Sequence, residues 1–162
     1  MTLNQPLPSQ EADDDFLIMP GHLLRRCHQI GVAVFLEECR TFDLTPPQYS
    51  ALAALDRFGP MDQASLGGAI ALDRTTILVV LTKLEERDLI TRTPSEKDKR
   101  SKIVAITEAG RALMRAALPY VQQVQERIFE PLSVRERIQL RALLRKMADG
   151  NNRLSRAPHR LP

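Results

Sequence analysis

Two clusters of side chains in this 162-residue chain have types and spacings suited to chemistry, and in both the chemistry is the recognition of negative charge. The first begins at Asp73-Arg74-Thr75-Thr76, continues with Lys83, and resumes at Lys97, Asp98, Lys99, Arg100 and Lys102. An arginine presents a planar fork that can take a phosphate or a guanine edge through two parallel hydrogen bonds, whereas a lysine acts as a point charge. Thr75 and Thr76 add small hydroxyl donors and acceptors. The second cluster is His22, Arg25, Arg26 and His28, with Cys27 in its middle and Tyr49 farther on. An Arg and a His on adjoining helical turns can hold a carboxylate. Bond-making chemistry has no such support. No nucleophile is paired with a base, no two carboxylates face a cleft, and there is no phosphate loop. No cysteine or histidine spacing suits a metal. The sequence therefore predicts neither an enzyme nor a bound metal or cofactor.

The first cluster needs a helix and a hairpin to position it. Asp73 is an N-cap candidate, since its carboxylate can accept from unpaired first-turn amides. Ile77, Val80, Leu81 and Leu84 then recur at the spacing of one apolar helix face. Residues 90–93 and 102–106 are short β-type runs around a polar tip, which predicts a hairpin. Upstream, Thr45-Pro46-Pro47-Gln48 reads as a capping box with Pro in the first turn, opening a helix that Gly59-Pro60 stops. Asp62 can cap a short helix over 63–70, and Ala71-Leu72 is the turn into Asp73. Helix, short helix, tight turn and capped helix is the order of a helix-turn-helix.

Longer helices flank this unit. One starts near Pro20 and is expected to reach about Thr41, with Leu23, Leu24, Cys27, Ile30, Val34 and Phe35 as its stripe. Thr107 caps another to about Phe129, with Pro119 inside it, and Ser133-Val134-Arg135-Glu136 is a capping box for a last helix through about Met147. The chain is expected to divide into a disordered tail (1–14), a first dimerisation helix (15–44), a DNA-binding domain (45–106), C-terminal dimerisation helices (107–149) and a flexible basic tail (150–162). The expected fold is mainly α with a small β-hairpin, α+β in class. Aromatics make up only 4% and Trp is absent, so aliphatic side chains must build the core. Wide apolar stripes on long helices in a small chain suggest a two-fold homodimer, against the alternative of an intramolecular bundle. The net charge of +3 is compatible with nucleic acid without requiring it. No run spans a bilayer and no signal-peptide pattern opens the chain, which predicts a cytoplasmic protein without a membrane partner.

Taken in order, these pieces resemble the multiple-antibiotic-resistance regulator (MarR) family from about Pro20 to Met147. Leu44-Thr45-Pro46-Pro47-Gln48-Tyr49 looks like the family's entry to helix two. Asp73-Arg74-Thr75-Thr76 and Leu84-Glu85-Glu86-Arg87-Asp88-Leu89-Ile90-Thr91-Arg92 look like its recognition helix and exit. Asp98-Lys99-Arg100 looks like its wing signature, and Ile106-Thr107-Glu108-Ala109-Gly110 its start of the following helix. The resemblance implies a dimer with a winged helix-turn-helix in each subunit, usually a repressor of operator DNA that responds to a small molecule.

By that resemblance Arg100 enters the minor groove and Asp98 holds its side chain, while Lys97, Lys99 and Lys102 supply phosphate contacts; an Arg is drawn there because a narrow minor groove has enhanced negative potential. Lys83 is assigned to a phosphate. Arg74 can serve DNA or pair with Asp73 or a carboxylate of the partner, and Thr76 can serve DNA or only the cap. The chain departs from the pattern at Leu78 and Val79, where relatives carry polar readers; either residue can touch a thymine methyl or pack inside. The effector pocket of the family lies between the dimerisation helices and the winged domain. His22, Arg25, Arg26, His28 and Tyr49 are the candidates, and they suggest an aromatic carboxylate. The plainer reading is a solvated basic face paired with Glu37, Glu38 or acidic groups of the partner. Cys27 can be a peroxide sensor or an inert thiol. A winged-helix adaptor without DNA binding is the remaining alternative.

Overall fold

The computed structural model describes residues 15–95 and 101–162. The expected disordered tail over 1–14 lies outside the described residues. Helix α1 spans Pro20–Glu38, ending before the expected Thr41. A 3-10 turn at Arg40–Phe42 follows, and Asp43 at φ 48° redirects the chain. Helix α2 spans Pro46–Phe58, β1 Met61–Asp62, α3 Gln63–Ala69 and α4 Arg74–Glu86. Strands β2 (Ile90–Pro94) and β3 (Lys102–Ile106) form the hairpin, and α5 (Glu108–Phe129) and α6 (Val134–Gly150) complete the chain.

The helix starts follow from local chemistry. At α2 the Thr45 amide donates to Gln48 Oε1 at 2.8 Å, which explains how a polar Gln48 is buried. The Asp62 carboxylate accepts from the amides of Ala64 and Ser65, both at 2.9 Å, and from the Ser65 hydroxyl at 2.6 Å. Asp73 repeats the arrangement at α4. Thr107 Oγ1 accepts from the Gly110 amide at 3.0 Å and donates to the Asp88 carbonyl at 2.8 Å, so one hydroxyl both caps α5 and ties it to the end of α4. Ser133 and Glu136 form the reciprocal box that opens α6. Pro119 lies within α5, whose helix runs on past it.

The sheet has a strand that the hairpin pattern did not reveal. β1 pairs antiparallel with β3 through Met61 and Val104, giving the order β1-β3-β2. Two residues are too few to show an alternation, and only the contact with β3 defines them as a strand. The core runs from the winged unit, through Leu52, Leu55, Leu66, Ile77, Leu81, Leu84, Ile90 and Val104, into the seam where α1 meets α5 at Phe35, Cys39, Ala117 and Val124. The upper stripe of α1 is different: Leu23, Leu24 and Ile30 are exposed, as are Leu143, Leu144 and Met147 of α6.

The C-terminal residues depart from the loose tail expected of 150–162. After α6 a 3-10 turn at Asn152–Leu154 brings the chain back, and the Arg160 amide donates to the Gly68 carbonyl of α3 at 2.9 Å. Asn152 holds His159 on both sides, donating to its carbonyl at 2.9 Å and accepting from its amide at 2.7 Å. A polar, Arg-rich composition predicts solvation, but backbone groups bonded at both ends hold this segment down.

Candidate nucleic-acid interface and effector cavity

Helices α3 and α4 meet at a bend of 107°, and Ala71 in the turn has φ 53°. This geometry buries Ile77, Val80, Leu81 and Leu84 and turns the opposite face of α4 outward. That outward face carries Arg74, Thr75, Leu78, Val79 and Lys83, all exposed. Thr76 Oγ1 donates to Asp73 Oδ2 at 2.7 Å, so its proton is committed to the cap. These bonds hold the Asp73 carboxyl below the usual carboxylate range, the Thr76 hydroxyl contributing most. Arg74 forms no ion pair among the described residues; the pairing with Asp73 considered from sequence does not occur within the chain. Leu78 and Val79 do not pack inside, being 48% and 52% exposed.

The hairpin stem fixes the wing relative to α4. β2 and β3 are in register from Ile90 against Ile106 to Pro94 against Lys102, and the Ser95 amide still reaches the Ser101 carbonyl at 2.9 Å. Lys102 is exposed at the outer end of the stem. Lys97, Asp98, Lys99 and Arg100 lie outside the described residues. One pair that sequence reasoning missed joins the two halves: Arg92 of β2 donates to Glu85 of α4, through Nε at 2.9 Å and through Nη2. The bond holds the Glu85 carboxyl low, with the Arg92 hydrogen bond as the main cause. Its signal in the sequence is faint, because a helix end and a strand start separate residues seven apart and no single periodicity covers both. Arg87 reaches the carbonyls of Phe42 and Asp43, so the far end of α4 is tied to the segment leaving α1.

A second feature lies on the other side of the turn. A cavity of about 480 Å³ is lined by His28, Val32 and Leu36 of α1, by Thr45, Pro46, Pro47 and Ser50 at the start of α2, and by Ile70 and Leu72 of the turn before Asp73. Of the residues singled out as effector candidates, His28 lines it. Arg25 and Arg26 are exposed on α1, and His22 stands edge-on to Phe16 with ring centroids 5.2 Å apart. Tyr49 is half-buried against Phe35 at 6.2 Å, and burial pushes its hydroxyl pKa up. Glu37 and Glu38 do not pair with the basic start of α1; both accept from Arg127 of α5, fastening the lower half of α1. Cys27 is exposed, while Cys39 is buried with its thiol pushed up by desolvation. No cluster of potential metal ligands occurs among the described residues, and no single helix is long and apolar enough to cross a membrane.

Comparison with known proteins joins these parts. A family model described as the MarR family matches residues 44–102, the span from the entry of α2 to the return arm of the wing. The HTH-type transcriptional repressor NicR of Pseudomonas putida is 38% identical over 131 residues, covering 81% of this chain and 83% of NicR. Among solved structures, BpsR of Bordetella bronchiseptica, whose DNA binding is regulated by 6-hydroxynicotinic acid, superposes with a TM-score of 0.79. It is 34% identical, with 83% of this chain and 96% of that one covered. The transcriptional repressor CouR, bound to a 23-mer DNA duplex, gives a TM-score of 0.75 at 29% identity, with 89% of this chain and 99% of that one covered.

Proposed function

This chain belongs to the MarR family and is a transcriptional regulator rather than an enzyme, and from that premise we propose that it is a cytoplasmic, homodimeric repressor released from operator DNA by a small aromatic acid. The observation that carries the proposal is the cavity between α1, α2 and the helix-turn-helix turn. Its walls offer Val32, Leu36, Ile70, Leu72 and two prolines to an aromatic ring. His28, Ser50 and Thr45 offer hydrogen-bonding groups to a carboxylate or ring substituent. Arg25 lies one helical turn before His28 and supplies the fork for an anion at the mouth, with Arg26 and His22 adding to the basic face of α1.

The mechanism follows from what the cavity touches. Ile70 and Leu72 immediately precede the cap of α4, and His28, Val32 and Leu36 belong to the helix whose exposed upper stripe meets the partner subunit. A ligand seated there bears on the aim of α4 and on the distance between the two subunits. It shifts the equilibrium only by as much as it prefers the arrangement that does not fit DNA. On the DNA side, α4 enters the major groove with Thr75, Arg74 and Lys83 on phosphates or base edges. Leu78 and Val79 make apolar contacts to thymine methyls, and Lys97, Lys99, Lys102 and the Asp98-supported Arg100 work from the wing.

The test combines a thermal-shift series with a mobility shift on DNA from upstream of the protein's own gene. 6-Hydroxynicotinate, nicotinate, salicylate and benzoate are the probes. At least one acid raises the melting temperature and dissociates the DNA complex, and His28→Ala loses that response while still binding DNA. Arg100→Ala lowers operator affinity at least tenfold with the dimer intact. Protein that binds DNA yet ignores every acid overturns the ligand assignment, and affinity of Arg100→Ala within twofold of wild type sinks the wing assignment. Exposed Cys27 supports the competing sensor reading, which wins only if peroxide releases DNA and Cys27→Ser abolishes that release.

A further inference from the structure

The segment Asn152–Arg160 folds back on α3. It closes one side of a cavity of about 570 Å³ whose other walls are α3, the first turns of α4 and the stem of the wing. Arg156 and Arg160 of the tail share this lining with Arg74 and Leu78 of α4, with Arg92 and Lys102 of the stem, and with Asp62 and Asp73. Arg92 is paired with Glu85, while Asp62 and Asp73 cap helices through neutral amides and hydroxyls and so keep their negative charge. Arg74, Arg156 and Arg160 form no ion pair among the described residues. Arg74, Lys102, Arg156 and Arg160, from three separate parts of the chain, therefore share this lining with the two carboxylates, which leaves a net positive surface beside the exposed face of α4.

Like charges repel, so this arrangement must be held by something else. The Asn152 side-chain bonds to the main chain of His159 and the Arg160 amide bond to Gly68 hold it, and none of these bonds uses a guanidinium group. We propose that the C-terminal segment Asn152–Arg160 is a third DNA-contacting element, with Arg156 and Arg160 binding backbone phosphates that flank the groove occupied by α4. A polyanion laid across the surface removes the repulsion that the fold maintains, and each phosphate neutralised releases condensed counterions. The first helix of a helix-turn-helix crosses the DNA backbone, which is where a segment seated on α3 is delivered. A tail that instead masked the DNA-binding face in place of DNA would be expected to be acidic. Residues 151–162 contain three arginines, a histidine and no acidic side chain. The contacts read no sequence and add to affinity and orientation.

This inference rests on the reading of the chain as a DNA-binding regulator, and the experiment separates the two. Fluorescence anisotropy is measured against salt concentration on two duplexes of equal length: one from upstream of the protein's own gene and one of unrelated sequence. Wild type, Arg156→Ala/Arg160→Ala, Arg156→Lys/Arg160→Lys and a chain ending at Asn151 are compared, with melting temperature and dimer mass checked for each. The double Ala variant loses affinity for both duplexes by similar factors. Its log K against log salt slope is shallower by about 1.8 per subunit, the loss of two phosphate contacts. The Lys variant keeps the slope, because the charges remain. An unchanged slope and affinity in the Ala variant overturn the inference, and so does tighter binding by the Ala variant or the truncated chain, which would make the tail a cover. Wild type that binds neither duplex overturns the reading of the chain as a DNA-binding regulator instead. The point variants alter exposed side chains, so they decide the matter even if truncation unfolds α6.

Discussion

A single hydrogen at Gly110 decides whether α5 can meet the winged unit. A Cβ built there would stand 2.1 Å from the Leu89 carbonyl oxygen, which already accepts from the Thr107 amide. The Leu89 carbonyl is backbone and cannot swing away as a side-chain end could, and Ile106 Cγ1 would lie 3.0 Å from the same Cβ. Gly110→Ala is expected to destabilise the protein by about 3 kcal/mol or to prevent folding, as measured by urea unfolding. Gly68 makes a useful contrast. A Cβ there meets Arg160 Cβ at an ordinary 3.5 Å, so Gly68→Ala should leave both stability and the seat of the tail nearly unchanged. Identical residue types thus have different consequences, which depend on what the chain brings near them.

At the scale of elements, the helix-turn-helix is set by caps on one side and by a charge pair on the other. Asp62 accepts three hydrogen bonds at α3, and its carboxyl lies below the usual range chiefly because of the Ser65 hydroxyl. A folded-state pKa below the unfolded value of about 3.9 stabilises fully above that value, and the contribution is lost as pH falls through the folded pKa. Wild type should therefore lose stability below about pH 4 more steeply than Asp62→Asn, a difference readable in melting temperatures between pH 5 and pH 3. Asp62→Ala should cost about 1 kcal/mol at neutral pH. The Glu85–Arg92 pair works between elements. The Arg92 side chain is only 11% exposed, so Glu85→Ala leaves a largely covered guanidinium without its partner. That change should cost about 1 kcal/mol of stability, and it should weaken DNA binding by loosening the wing against α4. Glu85→Leu with Arg92→Met should recover stability without recovering DNA affinity, since an apolar pair replaces the packing but does not set the wing's angle.

For the whole molecule, the unfinished surface matters most. Leu23, Leu24 and Ile30 of α1 and Leu143, Leu144 and Met147 of α6 are exposed; only the lower half of α1 packs on α5, and α6 buries no side chain. Exposed apolar side chains repeated along two helices in this way mark an association surface. The dimer proposed for this chain should have twice the 18.3 kDa chain mass, and Leu144→Asp/Met147→Asp should shift it to monomer in light scattering. Operator affinity should fall with it, because two half-sites are then no longer held at one spacing. The basic start of α1 remains available to an effector because Arg127, rather than Arg25 or Arg26, occupies Glu37 and Glu38.

Helix starts, the position of the turn and the hairpin could all be read from the sequence. A cap, a Pro in the first turn and an apolar period act within a few residues, so the chain states them locally. Asp62, Asp73, Thr107 and Ser133 all cap as their spacing implied. The same locality exposed the gap at Leu78-Val79, although only the fold settled that both face outward. What depends on residues far apart, or on either side of an element boundary, could not be read in this way: the β1 strand and the cavity that joins His28 to Leu72 in the first case, the Glu85–Arg92 tie in the second. The tail departs furthest from its expected state. Its composition predicts solvation, and its seat on α3 comes from the backbone bond of Arg160 to Gly68 and from the Asn152 side chain that holds His159, partners that only this tertiary arrangement brings within reach.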